Sequence, residues 1–223
     1  MKLALMMSTL CIASISMVGC SSKVVEPEQY SGFLKDYSQL KEAESPSGAT
    51  VMRWVDPKLD INKYRSVYIE PTQLYPKPQP TATIPQGTLN GITSYYDQAL
   101  KREVGRSLPL AAGPGPGVLV VRAAITAVSS KTEGLKPYEV IPIALVAAAV
   151  STASGIRDQE TDLATEAVFL DGGSNKVLAQ VVRKGTGKPL ENKEQVMKAD
   201  DVKGVIDGWA SDLHQSFLKL KSK

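Results

Sequence analysis

The run from Val118 to Val128 constrains the fold more than any other stretch of this chain. Val118, Leu119, Val120 and Val121 stand together, and Ala124, Ile125 and Val128 follow. Its length and its wealth of β-branched residues predict a central strand. A sheet must therefore be built around it, and an apolar sheet face must be covered by other elements of the same chain.

Those elements are readable on either side. Thr50 to Val55 and Arg65 to Glu70 read as strands, the second because Val67 and Ile69 alternate with polar neighbours. Pro71, Pro76, Pro78, Pro80 and Pro85 make the stretch between them an extended loop expected to lack ladder hydrogen bonds. From Leu89 to Arg106, Ile92, Tyr95, Tyr96, Ala99, Leu100 and Val104 fall at helical spacing, and Gly105 supplies a stop. Leu163 to Leu170 and Val177 to Arg183 flank the turn residues Asp171 to Asn175, which predicts a hairpin. Near the end, Asp200 or Asp201 reads as an N-cap. Val202, Val205, Ile206, Trp209, Leu213, Phe217 and Leu220 then mark one helical face. This order predicts an α+β fold, a mostly antiparallel sheet with two main helices packed on one face.

One apolar run remains. Val140, Ile141, Ile143, Leu145, Val146 and Val150 lie in the most apolar stretch beyond the first residues, with Pro142 opposing a regular helix at its start. The stretch is too short to span a bilayer as a helix. Two readings stay open: a buried connection in the core, or an exposed segment that meets lipid or another subunit.

The first residues read as a targeting segment. Lys2 supplies a positive charge, Leu3 to Val18 an apolar core, and Gly19 a small residue ahead of Cys20. Met17-Val18-Gly19-Cys20 resembles the lipobox of bacterial lipoproteins. That resemblance implies cleavage before Cys20, acylation of Cys20, and a lipid anchor of more than one chain, as stable attachment requires. In the same family rules Ser21, in place of Asp, implies the outer membrane. Residues 1–19 are then a signal peptide and 20–48 an acylated tether. The span 49–223 is a single domain. Part of the tether is expected to dock on the domain, as one or two helical turns around Phe33 to Leu40.

Composition narrows the chemistry. Removing residues 1–19 leaves a mature chain of 204 residues, with 25 basic and 23 acidic side chains, which argues for no nucleic-acid partner. Cys11 leaves with the signal and Cys20 carries lipid, so neither a disulfide nor thiol chemistry is expected. His214 is the single histidine, and Ser211-Asp212-Leu213-His214 holds triad residue types within one helical turn, where near neighbours do not face one another. A solvated helix face is expected there. Gly185-Thr186-Gly187-Lys188 lacks the rest of a phosphate-loop pattern, because Val182 and Pro189 occupy the required positions. Asp158, Glu160 and Asp162 read as a wet surface loop. No catalytic residue, cofactor or metal ligand is assigned.

Several stretches resemble the bacterial lipoproteins grouped as domain of unknown function 3313: Tyr30 to Leu34 with Asp36-Tyr37-Ser38, Arg53-Trp54, and Gly113-Pro114-Gly115 leading into Ala124-Ile125-Thr126. The resemblance implies a single-domain lipoprotein and carries over no catalytic residue. The functional expectation is an outer-membrane lipoprotein facing the periplasm, with a non-enzymatic binding or scaffolding domain. Its partners are the membrane, through the anchor, and an envelope protein or a second copy. The alternatives are an oligomeric accessory of a secretion or transport system, and an envelope hydrolase.

Overall fold

The structure, a computed structural model, describes residues 24–132 and 159–222. Seven strands and two long helices make up the fold: β1 (Lys41–Glu44), β2 (Thr50–Val55), β3 (Ser66–Ile69), β4 (Gln73–Leu74), α1 (Gln86–Val104), β5 (Val118–Thr132), β6 (Gln159–Asp171), β7 (Val177–Thr186) and α2 (Lys203–Lys221). They form one sheet in the order β1-β2-β7-β6-β5-β3, with β4 also beside β5. Only β3 and β4 run parallel to β5; every other pair is antiparallel. The run read as a central strand is the first part of β5, held by β6 on one edge and by β3 and β4 on the other. The α+β architecture matches the reading from periodicity.

Both faces of the sheet are buried, which is why the first part of β5 and the Leu163–Leu170 part of β6 carry apolar residues at both parities. Leu119, Val121, Ala123 and Ile125 face the helices, where they join Ile92, Leu100, Ile206, Trp209 and Phe217 in the larger core. Val120 faces the other way, into a smaller core with Val168, Leu170 and Val182. A bulge between Ile125 and Ala127 shifts the register of β5 against β6. It inverts the parity of the strand, so Val128 points to the helices and Ala127 to the smaller core.

The second face is covered by the beginning of the described chain. Val25, Leu34 and Leu40 are buried in the smaller core, with Tyr30, Phe33 and Tyr37 packed against it. Docking of the segment read as a tether is thus observed, but without helical turns around Phe33 to Leu40. The one helical feature there is a 3-10 turn at Pro27–Gln29. Strand β1 also lies within 20–48, paired with β2, so folded structure starts ahead of residue 49.

Three local expectations are corrected. In the Pro-rich stretch, Gln73 and Leu74 keep their N–H groups and pair with Ala124 and Ile125, and the Tyr75 N–H donates to the Ile125 carbonyl at 3.0 Å. Helix α1 begins at Gln86, directly after Pro85, whose extended backbone (ψ 162°) forms its N-cap. Neither Asp200 nor Asp201 caps α2: they close a 3-10 turn at Ala199–Asp201, and the helix starts after Val202. Cys20 and the segment Val140, Ile141, Ile143, Leu145, Val146 and Val150 lie outside the described residues.

Candidate functional site

A cavity of about 440 Å³ lies between α2 and the sheet. Its floor is made by β5, β6 and β7, through residues such as Leu119, Val121, Phe169 and Leu178. Trp209, Leu213 and Phe217 of α2 form one wall, and Tyr96 and Leu100 of α1 close the back. Ala123 and Ala167 are register partners across β5 and β6, and both line the floor. Each offers only a methyl group where neighbouring positions carry Leu, Val or Phe, and both are buried in the larger core beneath the helices. The rim reaches solvent at Glu44 and Lys219, which are exposed. A volume of this size, mostly apolar and with few polar groups, falls in the ~300–1,000 Å³ range of small-molecule sites.

The polar residues that line the cavity include one buried ion pair. Arg183 on β7 and Asp212 on α2 both line it, 9% and 4% exposed. The Arg183 Nη2 donates to Asp212 Oδ2 at 2.5 Å, and the guanidinium carbon lies 5.7 Å from the centre of the Trp209 ring. Asp212 also accepts from the Ser47 N–H at 2.8 Å and the Ser47 hydroxyl at 2.9 Å. Burial pushes the Asp212 carboxyl up from its ordinary value. The hydrogen bond and charge of Arg183, with Ser45 and Ser47, outweigh this and hold it below 3.8. One donor is left over. The Nε–H of Arg183 is buried and has no hydrogen-bond acceptor among the described residues. Such a group costs on the order of 1–3 kcal/mol.

A second buried carboxylate lies on the opposite face. Glu166 of β6, 1% exposed, stands between Ala164 and Val168 on the side of the smaller core. It accepts from the Ser31 N–H at 2.8 Å, the Leu34 N–H at 3.4 Å and the Tyr37 hydroxyl at 2.6 Å. The Tyr37 oxygen in turn accepts from the N–H groups of Gly32 and Leu34, and its ring stacks on Tyr30 with centroids 4.5 Å apart. Burial, then the hydrogen bond to Glu166, pushes the Tyr37 phenol up to about 12.

The structure separates the triad residue types and corrects the expected solvated face. Ser211 is exposed, but Asp212 and His214 are buried. Asp212 serves Arg183 and Ser47, whereas His214 Nδ1 pairs with the Ser107 hydroxyl at 2.6 Å, on the loop after α1. Glu160 and Asp162 belong to β6 instead of a loop, and Asp162 is buried, accepting from Thr186 at 3.0 Å. Gly185 owes its presence to the close approach of α2: a Cβ there would lie 2.5 Å from a Val205 methyl. Among the described residues, no group of three or more His, Cys, Asp or Glu side chains is placed to hold a metal ion. No helix among them is long and apolar enough to cross a membrane.

Comparison with known proteins adds a family. Over 198 residues the chain is 41% identical to the uncharacterized lipoprotein YdcL of Escherichia coli K12, with 89% of each chain covered. The YdcL of Escherichia coli O157:H7 matches to the same extent. Among solved structures, a PelC dodecamer from Paraburkholderia phytofirmans is similar at a TM-score of 0.36 and 12% identity, over 74% of this chain and 96% of that one. A family model described as "Protein of unknown function (DUF3313)" matches residues 29–213, from the docked N-terminal segment through the whole sheet and into α2. The chain belongs to the DUF3313 family.

Proposed function

We propose that this protein is an outer-membrane lipoprotein, anchored through lipid on Cys20 and facing the periplasm, whose domain is a non-enzymatic binding module. The similarity to an uncharacterized lipoprotein supports the anchor, as does the Gly19-Cys20 pair at the end of an apolar leader. Ser21 supports the outer membrane. The observation that carries the binding role is the cavity beneath α2, about 440 Å³ of mostly apolar space beside a buried ion pair. Of its polar side chains, Asp212 is committed to Arg183 and Ser47, and the one histidine, His214, is paired with Ser107 away from the lining. That arrangement fits recognition better than proton transfer.

Two measurements test the reading. Membranes of a Gram-negative host are separated by density, with wild type beside Cys20→Ala. Wild type is expected in the outer-membrane fraction with the mass of its acyl chains, and the variant is expected to carry no lipid and leave that fraction. Unlipidated wild type would remove the anchor. For binding, the chain is secreted behind a cleavable signal in place of residues 1–20, which keeps every element described above. Titration with the apolar fluorophore N-phenyl-1-naphthylamine is expected to give a saturable rise in emission, and a linear, unsaturable response would remove the binding role.

A further inference from the structure

We propose that the outer part of the cavity, where β2 meets α2, takes a single-chain amphiphile with a phosphate monoester head, the phosphate seated on Arg53 and Lys41. This rests on the binding reading above and specifies its ligand. The observation behind it is a pair of cations without partners. Val51, Arg53 and Val55 alternate along β2 on the cavity side, while Met52 and Trp54 pack against the smaller core. Lys41 on β1 is the register partner of Arg53, so the two cations rise from the same face of the sheet. Neither side chain makes a hydrogen bond or an ion pair among the described residues. Like charges directly opposite one another destabilise a sheet, and the fold brings no acid to relieve these two. Glu44, which with Asp212 completes the acids of the lining, has the opposite parity to Lys41 on β1 and pairs with neither cation. A phosphate monoester carries roughly −1.5 to −2 charges at neutral pH and three acceptor oxygens, enough for both cations, and it accepts from a guanidinium through two oxygens at once. A carboxylate would leave one of the two charges unbalanced. Inward of the cations the lining is apolar and reachable: Val55, Val181, Leu213 and Leu220 are half-buried and can receive a chain, unlike the closed core beneath them. The volume, about 440 Å³, lies toward the lower end of small-molecule sites and selects one chain over two.

The test displaces bound N-phenyl-1-naphthylamine from the secreted chain with dodecyl phosphate, dodecanoate and dodecyltrimethylammonium, which share one chain and differ in the head, each below its micelle concentration. Dodecyl phosphate is expected to displace the fluorophore at about a tenth of the concentration that dodecanoate needs, and the ammonium compound is expected to fail. Arg53→Gln is expected to weaken displacement by dodecyl phosphate about tenfold, the equivalent of one hydrogen bond to a charged group, with the fluorophore still bound. Lys41→Gln, at an exposed side chain, is expected to weaken it about threefold. Removing either cation relieves the repulsion, so neither variant should melt below wild type without ligand. If Arg53→Gln does not fold, Lys41→Gln decides alone: undiminished displacement overturns the inference. Equal displacement from wild type and a folded Arg53→Gln overturns the seat on Arg53. Dodecanoate as effective as dodecyl phosphate overturns the phosphate head. Saturable fluorophore binding that dodecyl phosphate leaves undisturbed overturns the ligand class and leaves the binding reading standing. A fluorophore that never binds removes both.

Discussion

The two faces of the sheet each bury a carboxylate, and they do so by different means. Asp212, on the helix side, is held by the cation of Arg183 and by Ser47. Glu166, on the other side, receives only neutral donors, all from the segment Ser31 to Tyr37. A buried charge needs hydrogen bonds more than it needs a countercharge, and either supply suffices when every lone pair finds a donor. The residue left over differs. On the helix side the supply is imperfect, with one buried guanidinium N–H that has no acceptor among the described residues. On the other side the cluster around Glu166 serves to fasten the N-terminal segment to β6. One face holds a cavity, the other a clasp.

The contrast can be broken in three ways. The largest effect is expected from Asp212→Asn, which leaves Arg183 buried without its counterion and should cost about 3–5 kcal/mol in urea denaturation. A loss under 1 kcal/mol would mean that water reaches the pair and that the helix-side cavity is not dry. Glu166→Gln comes next. It replaces one acceptor oxygen by a donor and should cost about 1–3 kcal/mol. Hydrogen exchange should quicken at the N–H groups of Ser31 and Leu34 while the β6–β7 hairpin stays protected. Unchanged exchange at these two amides would show that the apolar contacts of Val25, Leu34 and Leu40 hold the segment unaided.

The smallest effect is a pH dependence with opposite directions for Tyr37 and Asp212. The Tyr37 phenol is raised from 10.0 to about 12, so the protonated form is favoured in the folded state. Its stabilisation is complete below pH 10 and is lost as the pH rises toward 12. Tyr64, also raised to about 12 by burial and then by Asp171, adds to the same window. Tyr37→Phe should therefore flatten part of the decline in chemical stability between pH 10 and 12. Asp212, lowered from 3.8, acts at the other end: its contribution is present above pH 3.8 and falls away as acid titrates it in the folded state. An identical alkaline slope for wild type and Tyr37→Phe would detach the tyrosine from the clasp.

Much of the frame was legible because periodicity reports burial. Trp209, Leu213 and Phe217 stand at helical spacing, and they form the wall they predict. The hairpin after Leu170 was legible for the same reason, with Asn175 taking the positive φ (58°) that its turn requires. The two carboxylates were not assigned, although each carried a signal. Asp212 sits three residues after Trp209, on the apolar stripe, and Glu166 shares its parity with Ala164 and Val168. Acids in such positions must be buried, but their partners lie far off in sequence: Arg183 is 29 residues from Asp212, and Ser31 is 135 from Glu166. Periodicity is local and cannot supply those pairings. The cavity has no local signature either. Its lining is drawn from β2, α1, β5, β6, β7 and α2, elements that only the fold brings together.

The clasp has a mechanical consequence. Val25 and Ser31 are fixed to the sheet, so under the lipid anchor proposed on Cys20 the chain from Cys20 to Val25 spans at most about 17 Å. That proposal therefore carries a corollary: a domain held close to the lipid surface, whose encounters take place within reach of it.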